Sequence, residues 1–251
     1  MEYVGAIGVF CVAFVFSMLG MGGSQLYIPL LFWLGYDFKT EAIPTGLLLN
    51  VTTSLSAATT YIRSKMVNWP VALPFAVSML TMPALGARVN ALLPTHLLVL
   101  FFAAFTATAA VLMLTGWRPT RGSLSRTGQI LLGLLGGAGL GFLVGLIGRG
   151  GGSFVVPLLY ICGLEPKIAA ATSSVVVTGS ATCGFLAHLH TAHLRPGPTI
   201  AAMAAAVLGS QLGSRLMARK LAGRAVKVIF GCVLLGVAAI LAVQGLRAAA
   251  P

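Results

Sequence analysis

Apolar residues run through this chain in long blocks with short polar punctuation, and the blocks fall into two sets of five. The first set covers about 3–19, 24–35, 42–62, 69–86 and 93–116; the second covers about 128–147, 153–163, 168–188, 198–217 and 224–246. A helix crosses hydrocarbon with roughly 20 apolar residues at ~1.5 Å rise each. Ala42–Ile62 and Leu93–Thr115 meet that length without one charged residue. The second block of each set holds about a dozen residues, roughly 18 Å of helix, too short for the ~30 Å core. The pattern predicts an all-α, polytopic membrane bundle in which each half contains one half-helix.

The two halves are copies. A shift of 128 residues lays Gly20 on Gly148, Gly22 on Gly150, Gly23 on Gly151, Pro29 on Pro157, Gly35 on Gly163 and Lys39 on Lys167. With one deletion, Leu85-Gly86-Ala87-Arg88 matches Leu212-Gly213-Ser214-Arg215. Such periodicity sets the fold before any other signal. It predicts two homologous transmembrane repeats, 1–116 and 128–251, joined by a basic linker, 117–127.

Each half-helix follows a glycine break, Gly20-Met21-Gly22-Gly23-Ser24 in the first half and Gly148-Arg149-Gly150-Gly151-Gly152-Ser153 in the second. Irregular backbone survives at membrane depth only where it is buried in protein or lines a cavity. A break at corresponding places of two halves points to a transporter's binding site. The opening turn of a helix presents backbone N–H groups and a positive dipole end to an anion, and a serine there can cap the turn. The first break therefore offers Gly22, Gly23, Ser24 and Gln25 to a ligand, and the second offers Arg149, Gly150, Gly151, Gly152 and Ser153. Arg149 is the costliest residue in either break and, as a planar guanidinium, suits an oxyanion. The next block of each half is rich in hydroxyls and amides, from which Thr45, Asn50, Ser173, Ser174 and Thr178 are expected as neutral donors. Hydroxyls bonding back to their own helix are the ordinary alternative.

Composition agrees with the pattern. The chain is 58% hydrophobic and 8% charged, against about 25% charged in soluble domains. Its net charge of +12 comes from bases dealt out between apolar blocks, without interleaved aromatics, so nucleic acid is not an expected partner. If the short blocks count as crossings, Arg63, Lys65, Arg118, Arg121, Arg126, Lys167, Arg215, Arg219, Lys220, Arg224 and Lys227 share one side, eleven against five; re-entrant blocks give nine against seven. The sharper asymmetry predicts inverted five-plus-five repeats, a cytoplasmic linker and both termini outside. The expected place is the cell (inner) membrane.

Other chemistries fit poorly. Cys11, Cys162, Cys183 and Cys232 have no paired spacing, and each is expected free and buried. His188, His190 and His193 resemble a metal clip, but no carboxylate or thiol nearby completes a shell. A divalent-metal permease built on them is the main alternative, and an intramembrane hydrolase using Ser153 with a histidine the weaker one. Glu2, Asp37, Glu41 and Glu165 are the only acids and none lies inside a long block. No enzyme activity, cofactor or resident metal is expected.

The glycine break, the proline that follows it and their repetition resemble the sulfite exporter TauE/SafE family, also grouped as 4-toluene sulfonate uptake permeases. The likeness runs through both repeats, from Gly20…Pro29 to Gly148…Pro157. It implies a plasma-membrane permease for sulfite, organosulfonates or related sulfur oxyanions, working by alternating access with a proton or sodium as possible coupling ion. This chain departs from the family by placing Arg149 where an apolar residue is usual and Ser24 where a third glycine is common.

Overall fold

The structure, a computed structural model, describes residues 2–90, 103–104, 107–108, 110–111, 114–115, 126–147, 152–161 and 163–249. Every element among them is helical. In order they are α1 (Glu2–Leu19), α2 (Ser24–Trp33), a π-helical turn (Phe38–Ala42) running into α3 (Ile43–Arg63), and α4 (Trp69–Asn90); then come α5 (Arg126–Ile147), α6 (Gly152–Ile161), α7 (Pro166–His188), a short 3₁₀ turn, α8 (Pro196–Arg219) and α9 (Gly223–Ala249). The apolar blocks place these helices to within a few residues. The block at 93–116 lies mostly outside the described residues.

The two short blocks are ten-residue helices, α2 and α6, each with a proline inside (Pro29, Pro157). Proline has no N–H, so one rung of each ladder is missing opposite the Gln25 and Ser153 carbonyls. Both helices end with the same cap: Gly35 N–H donates to Phe32 O and Tyr36 N–H to Leu31 O, as Gly163 N–H does to Tyr160 O and Leu164 N–H to Leu159 O. This is the paired 6→1 and 5→2 bonding of a Schellman motif.

Close approach of backbones decides which long helices pair. A β-carbon on Gly209 would sit 2.5 Å from Phe10 O, and one on Gly213 would overlap Phe14 O, so α8 lies backbone-to-backbone along α1. On the other flank, β-carbons on Gly133, Gly137 and Gly141 of α5 would sit 2.8 Å from Val71 O, 2.7 Å from Phe75 O and 3.2 Å from Ser78 O of α4. Hydrocarbon gives no hydrophobic force between helices, so small residues that admit close van der Waals packing do this work. In both pairs the contacts advance together along the chain, so α1 and α8 are parallel, as are α4 and α5.

At the centre, α3 and α7 are antiparallel: Gly184 lies beside Leu47, 3.5 Å from a β-carbon there, while Asn68 N–H beyond the end of α3 donates to Thr172 Oγ1 at 3.1 Å. Tyr61 OH donates to Ser17 O at 2.6 Å, bringing the last turns of α1 and α3 to one face. A polar seam joins α3 to α8: Ser210 Oγ donates to Thr53 O at 2.7 Å and Gln211 Nε2 to Ser56 O at 2.8 Å.

The largest core cluster joins Phe75 and Met79 of α4, Phe154 to Tyr160 of α6, Val176 and Val177 of α7, Phe230 and Leu234 of α9, and Met21 from the first break. The outer surface is apolar too, with Leu135 71%, Ile200 67% and Ile7 65% exposed, the pattern of a chain solvated by lipid. Among the described residues, α7 and α8 are long and apolar enough to cross a membrane by composition alone, and Gly5–Leu19 and Trp69–Met82 are shorter apolar stretches.

Charge is sorted between the two ends. Where α1, α3 and α8 finish, the described side chains are Arg63, Lys65, Arg126, Lys167, Arg215, Arg219 and Lys220 with one acid, Glu165. The other end carries Lys39 and Arg195 with Asp37 and Glu41. One expectation fails here: Cys11, Cys183 and Cys232 are free but exposed on the outer face, not buried. A thiol is apolar enough to face lipid, and a continuous apolar run carries no signal of which face turns inward. Cys162 lies outside the described residues.

Candidate functional site

The first break is a buried loop built by its glycines. Helix α1 stops at Gly20 (φ +69°), where Gly20 N–H bonds Ser17 O and Met21 N–H bonds Phe16 O. A β-carbon on Gly20 would overlap the Ala170 carbonyl of α7. The glycine is thus required twice, by its left-handed backbone and by its neighbour. Ser173 Oγ, one turn further along α7, donates to Gly20 O at 2.8 Å and pins the loop to the second half.

Gly22 (φ +80°) and Gly23 (φ +109°) follow. Gly23, not Ser24, occupies the cap position of α2, and no side chain caps it; Gly23 O instead accepts from Leu26 N–H and Tyr27 N–H at 3.0 Å. Ser24 is the first residue of the helix and is buried. Among the described residues neither Gly22 N–H nor Ser24 N–H meets a backbone acceptor. The dipole end of α2 therefore opens inside the protein with donors to spare.

Facing it is Asn50 of α3, with Thr45 more than a turn away along the same helix, beside the Gly46 that packs on Ile28. A β-carbon on Gly22 would overlap Asn50 Oδ1, so the carboxamide is aimed at this backbone. Asn50 and Thr45 are each 1% exposed, and Asn50 Oδ1 and Thr45 Oγ1 have no hydrogen-bond partner among the described residues. An unsatisfied buried polar atom costs about 1–3 kcal/mol, so the Asn50 oxygen beside an opened helix end calls for a ligand. Because the two ends of a carboxamide are nearly isosteric, Asn50 presents either an acceptor or two donors there. The four acids, Glu2, Asp37, Glu41 and Glu165, all lie in loops, in the turn before α3 or at helix starts. What remains around the break is neutral polar groups and a positive dipole, which favours an anion.

The other expected donors are arranged differently. Ser173 holds the break in place; Ser174 Oγ donates to Ala171 O and Thr178 Oγ1 to Ser174 O, both at 2.7 Å within their own helix. Each would have to rotate to serve a ligand. Arg149, Gly150 and Gly151 lie outside the described residues, while Gly152 and Ser153 open α6. Gln25 sits in the first turn of α2, partly buried. Gln211, not among the expected donors, bonds α3 through its amide; a glutamine inside an apolar run is costly to bury, the same signal that marks Asn50.

At the far end of α2 the loop is tied down by charge. Asp37 Oδ1 accepts from Lys39 N, Thr40 N and Thr40 Oγ1, and Glu41 takes two bonds from Arg195, at 2.8 Å to Nε and 2.7 Å to Nη2. The Arg195 guanidinium also lies over the Tyr36 ring, 4.5 Å from its centroid, and His193 N–H donates to Thr40 O at 2.8 Å. The Arg195 bonds hold the Glu41 carboxyl below the usual glutamate range. This contribution is complete above the ordinary pKa of about 4.3 and is lost only as pH falls through the lowered value. The clasp joins the α2–α3 loop to the α7–α8 loop and stands through the physiological range. His188, His190 and His193 lie close by, yet among the described residues no three His, Cys, Asp or Glu converge to hold a metal.

Comparison with known proteins bears on this arrangement. The profile of the family described as Sulfite exporter TauE/SafE matches residues 5–241. The chain is similar to the "Probable membrane transporter protein YunE" of Bacillus subtilis, 26% identical over 92% of this chain and 93% of that one. It is also similar to the "Probable membrane transporter protein y4hK" of Sinorhizobium fredii, at 28% over 84% and 88%. A "Probable membrane transporter protein" of Xylella fastidiosa is 34% identical over 49% and 47%. No solved structure matches.

Proposed function

This chain belongs to the sulfite exporter TauE/SafE family of membrane transporters, and from that premise we propose that it is a permease for small sulfur oxyanions, sulfite or organosulfonates, in the cell membrane. The observation that carries the reading is the unpartnered buried Asn50 Oδ1 beside the glycine-opened start of α2, with a second such atom, Thr45 Oγ1, further along the same helix. A desolvated oxyanion there would meet helix-end N–H groups and neutral donors with no carboxylate to repel it. On this reading the second break, through Arg149, Gly150, Gly151, Gly152 and Ser153, would offer the ligand its other set of contacts. That Met21 and Phe154 share one core cluster supports the two breaks approaching each other.

A potential of 100 mV, negative inside, drives an anion outward by about 2.3 kcal/mol per charge. Export thus needs no coupling ion, whereas uptake would need a proton or sodium. In proteoliposomes at set potentials, sulfite or a sulfonate is expected to move and chloride is not. Flux of a divalent metal without any oxyanion flux would overturn the reading.

Inverted repeats in a five-plus-five arrangement complete the proposal. Helix α3 and its repeat counterpart α7 are antiparallel, and the α1–α8 pair corresponds under the 128-residue shift to the α5–α4 pair. Both observations support a two-fold relation between 1–116 and 128–251. Single cysteines at Ser123 and Ala249 are expected to label from opposite sides of intact cells, because five crossings separate them. Labelling of both from one side would reject the inversion.

A further inference from the structure

At the base-rich end of the molecule a groove of about 300 Å³ opens between the first turns of α4 and α5, lined by Trp69, Pro70, Leu73, Pro74, Arg126 and Ile130. Five of these six are apolar, and Trp69, Leu73 and Ile130 remain 42%, 57% and 38% exposed. Arg126 stands at the mouth on the first turn of α5; the one ion pair among the described residues is Glu41–Arg195, at the opposite end. The guanidinium therefore has no carboxylate to answer it. Exposed Arg63 and Lys65 precede α4 at the same end, where seven described bases face a single acid.

We propose that this groove binds an anionic phospholipid, its phosphate on Arg126, its glycerol level at the Trp69 indole, and one acyl chain along Leu73 and Ile130. Each part matches one piece of that molecule. An indole at a helix start is the usual anchor at the headgroup boundary. A fork of N–H donors suits a phosphate oxygen pair. The apolar walls run down toward the exposed Leu134 on α5, with the lipid-facing belt below. Free phosphate would gain only the arginine and nothing from the walls, and a zwitterionic lipid would bring its own cation into a field of bases. The tight α4–α5 seam begins beside the groove, where a β-carbon on Gly133 would sit 2.8 Å from Val71 O and 3.0 Å from Pro74, and holds the two helices at a fixed separation.

The test uses the full-length protein in mild detergent and native mass spectrometry with phosphatidylglycerol and phosphatidylcholine of matched chains. The wild type is expected to retain phosphatidylglycerol at least about fivefold over phosphatidylcholine, the effect of one base at an anionic surface. R126Q is expected to bring the ratio near one, R126K to keep most of it, and R215Q, altering a base at the same end outside the groove, to leave it unchanged. Equal retention of both lipids by the wild type, or a wild-type ratio in R126Q, overturns the proposal. So does displacement of phosphatidylglycerol by millimolar inorganic phosphate, which would make Arg126 a plain anion site.

Discussion

Gly20→Ala is expected to destabilise the protein by about 3–6 kcal/mol, whereas Gly35→Ala, also at a left-handed glycine, costs only about 1–2 kcal/mol. Both backbones are closed to ordinary residues, with φ +69° and +85°. Only Gly20 is also walled in: its β-carbon would meet the Ala170 carbonyl, while nothing lies within 4 Å of one on Gly35. Helix α7 cannot yield without moving Ser173, whose hydroxyl holds Gly20 O. The three costs are the strained backbone, the overlap with a fixed carbonyl and the lost hydrogen bond. Thermal unfolding of the two variants in one detergent should separate them by about 5–10 °C, since 1 kcal/mol moves a chain of this size by about 2–4 °C. Equal midpoints would mean that the break does not rest against α7.

The second large effect is expected at Arg149. It has no acid near it in sequence, Glu165 being the closest and beyond the half-helix. If the guanidinium is desolvated between its glycines it needs a counter-charge, from a distant acid brought close in the fold or, on the function proposed above, from the transported anion. Losing a charge-assisted bond costs about 1.5–3 kcal/mol, so Arg149→Met should weaken oxyanion binding by about tenfold to a hundredfold. Methionine is the right replacement because Met21 holds the matching position in the first half and packs there at 2% exposure. The variant should therefore fold and insert. Arg149→Lys keeps the charge without the planar fork and should lose part of the affinity. Unchanged apparent affinity of Arg149→Met for every oxyanion tested would leave the backbone donors as the whole site.

Local physics was legible in the chain and long-range pairing was not. Runs of apolar residues bounded by glycines located α2 and α6 to within a few residues, because each such signal acts locally, but not the cap of α2, where Gly23 stands in place of the expected Ser24. Nothing local says that Gly213 faces Phe14, or that Glu41 meets a base 154 positions away at Arg195. The hydroxyl-rich stretches were visible, but not which members answer to their own helix. Thr178 and Ser174 spend their protons on the turn before, whereas Thr45 Oγ1 and Asn50 Oδ1 have no partner among the described residues, a difference set by tertiary packing that no local signal reports. Cys11 and Cys183 illustrate the same limit, since an apolar run does not declare its inward face.

The glycine seam between α1 and α8 also sets an order of events during biosynthesis. Phe14 must wait for Gly213 to be made, about 200 residues later, while α1 already sits in the bilayer. At roughly 5–20 residues per second that delay is about 10–40 s. Through this interval the N-terminal helix has, among the described residues, no backbone-close helix from its own half, and α4 similarly awaits α5. Neither half of the chain can complete these helix pairs before the other has been inserted, so a nascent chain arrested at the linker leaves the glycine-facing surfaces of α1 and α4 uncovered.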